Sequence, residues 1–143
     1  MQAIRSFLIV LFMAVASTAV AQQTISISEL VNTKWRVENN RISDYDEYTL
    51  TEIILKRKDG SFFKYPYYLT DTPVTSHDKS AFDYSKVGKS KKGSYIVSIN
   101  EKVGGVYCVS IESFDKKKGV FVTKLVTQGV TGAGGIDRFK MVK

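Results

Sequence analysis

Cysteine is almost missing from this sequence: Cys108 stands alone. No intrachain disulfide can form, so the fold has to be held by its core. Histidine is as scarce, His77 in Thr75-Ser76-His77-Asp78 being the single one. Without a second imidazole, and with one remote thiol, a zinc site built from protein ligands lacks its usual donors. One histidine also leaves no basis for assembling a Ser-His-Asp set. We therefore expect no catalytic residue, no metal and no cofactor. His77 is expected in water on a loop. Cys108, in mid-strand among apolar neighbours, is expected as a small buried hydrophobe, since no helix N-terminus or histidine is at hand to activate it. No N-x-Ser/Thr sequon is present, as Asn32-Thr33-Lys34 and Asn39-Asn40-Arg41 both fail the pattern. Nor does any arginine-rich stripe interleave with aromatics, so nucleic acid is not an expected partner.

Long apolar runs are absent after the N-terminus. Residues 1–21 have the form of a secretory signal peptide. Arg5 supplies the positive start, Phe7 to Ala16 the apolar stretch, and Ala19-Val20-Ala21 the small-x-small pattern that places cleavage before Gln22. The apolar stretch is too short for a comfortable membrane span, and no cysteine near the cleavage point offers a lipid anchor. The expected product, residues 22–143, is one soluble domain, secreted or periplasmic and monomeric. Cleavage would remove Arg5 and lower the formal charge of +7 by one. A chain of that size can bury its own core. An exported protein without disulfides suggests a bacterial envelope or secreted domain.

What fills the chain is β pattern. Thr33 to Val37 alternates as a first strand, with Trp35 and Val37 on one face and Lys34 and Arg36 on the other. Before it, residues 22–29 fit an extended lead-in, or Ser28 to Asn32 one short helical turn. Glu38 to Glu47 is polar and turn-rich and is expected as a long loop. Its acidic Asp44, Asp46 and Glu47 lack the glycine and distal glutamate of a calcium loop, which leaves a solvated segment. Tyr48 to Lys58 is the next strand. Asp59-Gly60 then predicts a hairpin turn with positive φ at both central residues. Ser61 to Leu69 follows, with Phe63, Tyr65, Tyr67 and Leu69 on one face and Pro66 demanding a bulge or an edge.

Thr70 to Asp83 is a second irregular stretch, and Phe82-Asp83-Tyr84 predicts a short strand ending near Gly88. Gly93 to Asn100, Val106 to Phe114, Val120 to Val126 and Ile136 to Val142 complete the set. Tyr95, Val97 and Ile99 share a face, as do Tyr107, Val109 and Ile111, and Phe121 and Leu125. Gly129 to Gly135 is a glycine-rich loop; a phosphate cradle would need a helix after it, and a strand pattern follows instead. Seven or eight short strands with tight turns predict an all-β fold, an antiparallel up-and-down barrel or a sandwich.

The inward Trp35, the meander of hairpins and an arginine on the closing strand together resemble the lipocalin and fatty-acid-binding (calycin) superfamily. Tyr67-Tyr68-Leu69-Thr70-Asp71, Phe82 to Lys89 and Gly93-Ser94-Tyr95-Ile96-Val97 are similar to the small secreted bacterial lipocalin-like domains. The resemblance covers nearly all of residues 30–143 and implies a barrel that holds a small apolar or amphipathic ligand in its mouth. Two departures stand out. The calycin Gly-x-Trp is Thr33-Lys34-Trp35 here. Arg138 alternates with an inward Phe139 and Met141, so it points out of the barrel and suits a cap beside Trp35 rather than an interior carboxylate binder.

Inward alternation would set Tyr65, Tyr67, Tyr95, Tyr107, Phe63 and Phe121 around an interior. The four tyrosines are the expected ligand contacts, because a buried phenol needs a hydrogen-bond partner. The loops Glu38–Glu47 and Thr70–Asp83 are expected to frame the opening. The alternative is a filled core, with a protein or anionic glycan bound through Lys86, Lys89, Lys91 and Lys92 or through Lys116-Lys117-Lys118. Lysines at hairpin ends also keep strand edges apart without binding anything.

Overall fold

The computed structural model describes residues 22–143; the expected signal peptide lies outside the described residues. The chain opens with a two-residue strand β1 (Ile25–Ser26) and one helical turn α1 (Ile27–Leu30). A capping box starts that turn, the Glu29 carboxylate accepting from the Ser26 backbone N–H at 2.9 Å. The barrel strands are β2 (Thr33–Val37), β3 (Ser43–Tyr48), β4 (Glu52–Arg57), β5 (Phe62–Thr70), β7 (Tyr95–Asn100), β8 (Gly105–Asp115), β9 (Val120–Leu125) and β10 (Ile136–Met141). The short β6 (Lys92–Gly93) pairs with β1 outside the barrel.

These eight strands run antiparallel, each beside its sequence neighbours, and close in the order β10-β2-β3-β4-β5-β7-β8-β9. Closure comes from β10, where Phe139 lies opposite Val37 and Met141 opposite Trp35. The all-β barrel expected from alternation and tight turns is present, and a closed eight-stranded meander is compatible with a calycin-like fold.

The two ends differ. At the end where β2 begins, α1 and β1 turn in beneath the strands. Ile25 and Leu30 join one buried cluster with Trp35, Tyr48, Tyr67, Phe114 and Phe121. Trp35 is fully buried, its ring 5.4 Å from Phe114 and 5.3 Å from Phe121, and its indole N–H donates to Thr33 Oγ1 at 2.7 Å. This end is plugged.

Several local expectations need correction. Ser43 to Tyr48 is strand β3, not part of a long loop, and Tyr48 ends it rather than opening the next strand. In the β4–β5 turn Gly60 has φ 90° but Asp59 does not share the left-handed region. Asp59 instead accepts from the Ser61 N–H, and Arg57 N–H donates to Ser61 O, which suits a longer hairpin loop. Pro66 is tolerated because β5 pairs with β7 only from Tyr67 onward, so no ladder donor is missed. Phe82 to Gly88 holds a 3₁₀ turn (Tyr84–Lys86) capped by Asp83, not a strand.

Residues 71–91 leave the plugged end and climb the outer wall. Asp78 bridges Gly105 at the far end, and the chain then returns to β6. This strap covers a second cluster on the outside of β7 and β8, made by Tyr68, Phe82, Val97, Ile99, Val106 and Cys108. The outer face of β7 is therefore its apolar one. Tyr95, Val97 and Ile99 do share a side, as their spacing predicts, but that side faces the strap and not the barrel interior.

Candidate functional site

The end opposite the plug is open. Inward side chains from seven strands surround a cavity of about 340 Å³ there. Strand alternation sets the lining: Asp46 and Tyr48 from β3, Ile53 and Leu55 from β4, and Tyr65 from β5. Ile96, Ser98 and Asn100 come from β7, Tyr107 and Val109 from β8, Thr123 from β9, and Asp137 and Phe139 from β10. Its floor is aromatic. Tyr48 packs on Tyr67 at 5.6 Å and on Phe121 at 6.3 Å, and Phe121 on Phe139 at 5.6 Å, so the cavity stops above the Trp35 layer.

The lining divides by chemistry. Aliphatic and ring surface comes from Ile53, Leu55, Ile96, Val109 and Phe139. Phenols, a carboxamide, hydroxyls and two carboxylates supply the rest, and no lysine, arginine or histidine lines the cavity. Among the described residues neither Asp46 nor Asp137 is in an ion pair. Burial, and then the charge of Asp137, push the Asp46 carboxyl up from 3.8 to about 7. Burial, with Asp46 and Tyr67 adding to it, holds the Tyr48 phenol well above its ordinary range, so it stays a neutral donor and acceptor. The neighbouring Asp44 takes the opposite role: it lies outside, paired with Arg36 at 2.9 Å.

The tyrosines expected as ligand contacts separate. Tyr65 and Tyr107 line the cavity, Tyr107 at its exposed rim. Tyr67 is inward but fully buried below the floor, and its hydroxyl donates to Thr49 O at 2.6 Å. Tyr95 is outward, packed under the strap. Phe121 is in the buried aromatic layer, and Phe63 stands at the lip, stacked on Tyr65 at 6.5 Å and covered by the Arg57 guanidinium at 4.6 Å.

Arg138 is exposed on the outer face of β10, as alternation predicts. It does not cap Trp35, because Met141 is the residue opposite Trp35 and the adjacent end is filled by α1. His77 is half-buried rather than free in water: a ring nitrogen bonds Val106 O at 3.0 Å, and the ring meets Tyr107 edge-on at 5.0 Å. Cys108 is fully buried in the outer cluster, and burial pushes its thiol up.

Residues 38–42 border the mouth, as do the turns after β4, β7 and β9. The strap touches the rim near His77 and Gly105, at Thr75, whose carbonyl accepts from Gln128 N–H, and at Tyr84, whose hydroxyl bonds Glu101. Lys116-Lys117-Lys118, Lys91 and Lys92 lie at the plugged end, and Lys86 lies on the strap over the Tyr68 ring. The residues missed in sequence are Asp46, Tyr48, Ser98, Asn100, Thr123 and Asp137. One signal was available: Asp46 and Tyr48 are two apart, as the inward face of a strand requires.

Compared with family models, curated proteins and solved structures, the chain matches none.

Proposed function

We propose that this protein is an exported, non-catalytic binding barrel of lipocalin-like type that holds a small amphipathic ligand in its open mouth. The observation that carries the reading is the cavity itself. It is open at one end, closed by an aromatic floor at the other, and its 340 Å³ falls within the range of small-molecule sites. An apolar half and a polar half within one enclosure suit a ligand with both characters. The lysine-rich turns, at the plugged end and on the strap, play no part in this reading.

The test uses N-phenyl-1-naphthylamine, a neutral apolar probe that fluoresces out of water. Saturable enhancement with one site per barrel is expected. It should vanish in Thr123→Trp, whose ring would occupy the cavity, while the β-sheet circular dichroism of that variant stays intact. A wild-type protein that gives no saturable enhancement removes the reading.

A further inference from the structure

The cavity holds acid without base. The sequence carries 21 Lys and Arg against 14 Asp and Glu, yet the two charged residues that line the cavity are both aspartates, Asp46 half-buried in its wall and Asp137 exposed at its mouth. Asp46 sits between Trp35 and Leu55 across the sheet, with no protein cation beside it. A carboxylate placed there is poorly hydrated and repelled by Asp137, which is why it holds its proton up to about 7. Such a site lacks a positive charge, and the protein does not provide one.

A second observation points the same way. Tyr48 is 5 % exposed, yet its phenol opens onto the cavity and forms no hydrogen bond with the described residues. The side chain is nearly enclosed while its oxygen keeps an opening to the cavity, so a ligand or water there is what can satisfy it. Asn100, Ser98 and Thr123 add further uncharged polar groups to the same enclosure.

We infer that the ligand carries a protonated amine, taken by the carboxylates of Asp46 and Asp137, with its apolar body against Leu55, Val109 and Phe139. This rests on the cavity being the binding site and names the class of molecule that enters it. An ammonium supplies the missing counter-charge and up to three donors, which two carboxylates and the Tyr48 oxygen can accept. An anion of the same shape would add a third negative charge to a site that already resists two. A neutral alcohol would gain the hydrogen bonds but not the charge.

Competition against N-phenyl-1-naphthylamine separates the cases. 2-Phenylethylamine, 2-phenylethanol and phenylacetate share a ring and differ in the polar end. At about pH 8, where Asp46 is ionised, the amine should displace the probe at about tenfold lower concentration than the alcohol, with phenylacetate weakest. In Asp46→Asn the ratio of amine to alcohol constants should fall towards unity; taking the ratio within each protein cancels any general change in the cavity. Wild type that binds the probe but ranks the alcohol equal to or above the amine overturns the amine assignment and leaves the cavity reading standing. Undiminished amine preference in Asp46→Asn overturns it as well. Failure to bind the probe removes both.

Discussion

The side-chain amide of Gln23 grips the backbone of Phe114 from both sides: Nε2 donates to Phe114 O at 2.9 Å and Oε1 accepts from Phe114 N–H at 2.8 Å. The Gln23 N–H adds a third bond, to Ile111 O at 2.9 Å. β7 begins opposite Ser110, so the last part of β8 has no strand on that side. It also carries an irregularity between Ile111 and Ser113. Gln23 satisfies a stretch of edge that would otherwise be open. It also ties the first described residues to the aromatic layer that floors the cavity.

Gln23→Ala should therefore destabilise the barrel by about 1–2 kcal/mol, because two backbone groups lose their partners where water has partial access. The Phe114 amide should exchange with solvent markedly faster. Urea melts with amide exchange read both quantities, and an unchanged midpoint with an unchanged Phe114 rate would remove the clamp.

Trp35→Ala should cost about 3–5 kcal/mol, since the ring is fully buried between Phe114 and Phe121. Thr33→Val removes the polar contacts: it strands the indole N–H in the core together with the Leu30 carbonyl to which the hydroxyl donates, and should cost about 1–3 kcal/mol. Tryptophan emission of the folded wild type should lie far to the blue of free indole. Emission like that of indole in water would contradict the burial.

Much of this was legible because strand faces differ in polarity. β2 keeps its sequence-predicted bounds, with Trp35 inward, for that reason. The register of β7 was not legible, because both of its faces are buried and the strap makes the outer one apolar: Val97 and Ile99 look inward by hydropathy, whereas Ile96, Ser98 and Asn100 are the ones in the barrel. β3 was hidden by the site. Its inward residue at the mouth is Asp46 where an aliphatic residue would have shown the alternation, so a polar cavity-lining position disguised its own strand. The strap's course along the wall depends on long-range packing under Phe82 that local composition does not encode.

Gly93 marks where chains cross most closely at the plugged end. A Cβ there would lie 2.5 Å from Thr70 N and 2.6 Å from Thr70 O, and backbone cannot step aside as a side chain could. Gly93→Ala should cost about 1–3 kcal/mol through overpacking. Gly60→Ala is the contrast, since its left-handed φ of 90° is strained but nothing lies within 4 Å of the new methyl. It should cost about 1 kcal/mol or less. Thermal melts of the pair that show Gly60→Ala as the more damaging would contradict the close crossing.

The last prediction concerns Asp46 and pH. The groups facing it are Asp137 on β10, one strand removed beyond β2, and the phenols of Tyr48, Tyr65 and Tyr107; Lys34 and Arg36 on β2 point outward, to Tyr45 and Asp44, and Arg57 sits at the rim over Phe63. Its folded value of about 7 lies above the ordinary 3.8, so the native state holds this proton more tightly than the unfolded chain does. That contribution is complete below the ordinary value, declines as pH rises between the two, and is spent above about 7. Asp59, Asp78 and Asp83, held low mainly by bonds from Ser61, Ser80 and Ser85, act in the opposite sense, and only below 3.8. Between pH 5 and 7 the Asp46 effect therefore stands apart from theirs. The wild type should lose stability across that interval, by an amount on the order of a few kcal/mol at most. Asp46→Asn, the same size without the charge, should melt at a higher temperature than wild type at pH 8 and should flatten the profile. It should do so while losing amine preference, the exchange of stability for function expected where a binding site buries an unpaired charge. Melting temperatures of both proteins at pH 5 and pH 8 decide it: an Asn variant no more stable than wild type at the higher pH would mean that Asp46 is well solvated and bears no strain.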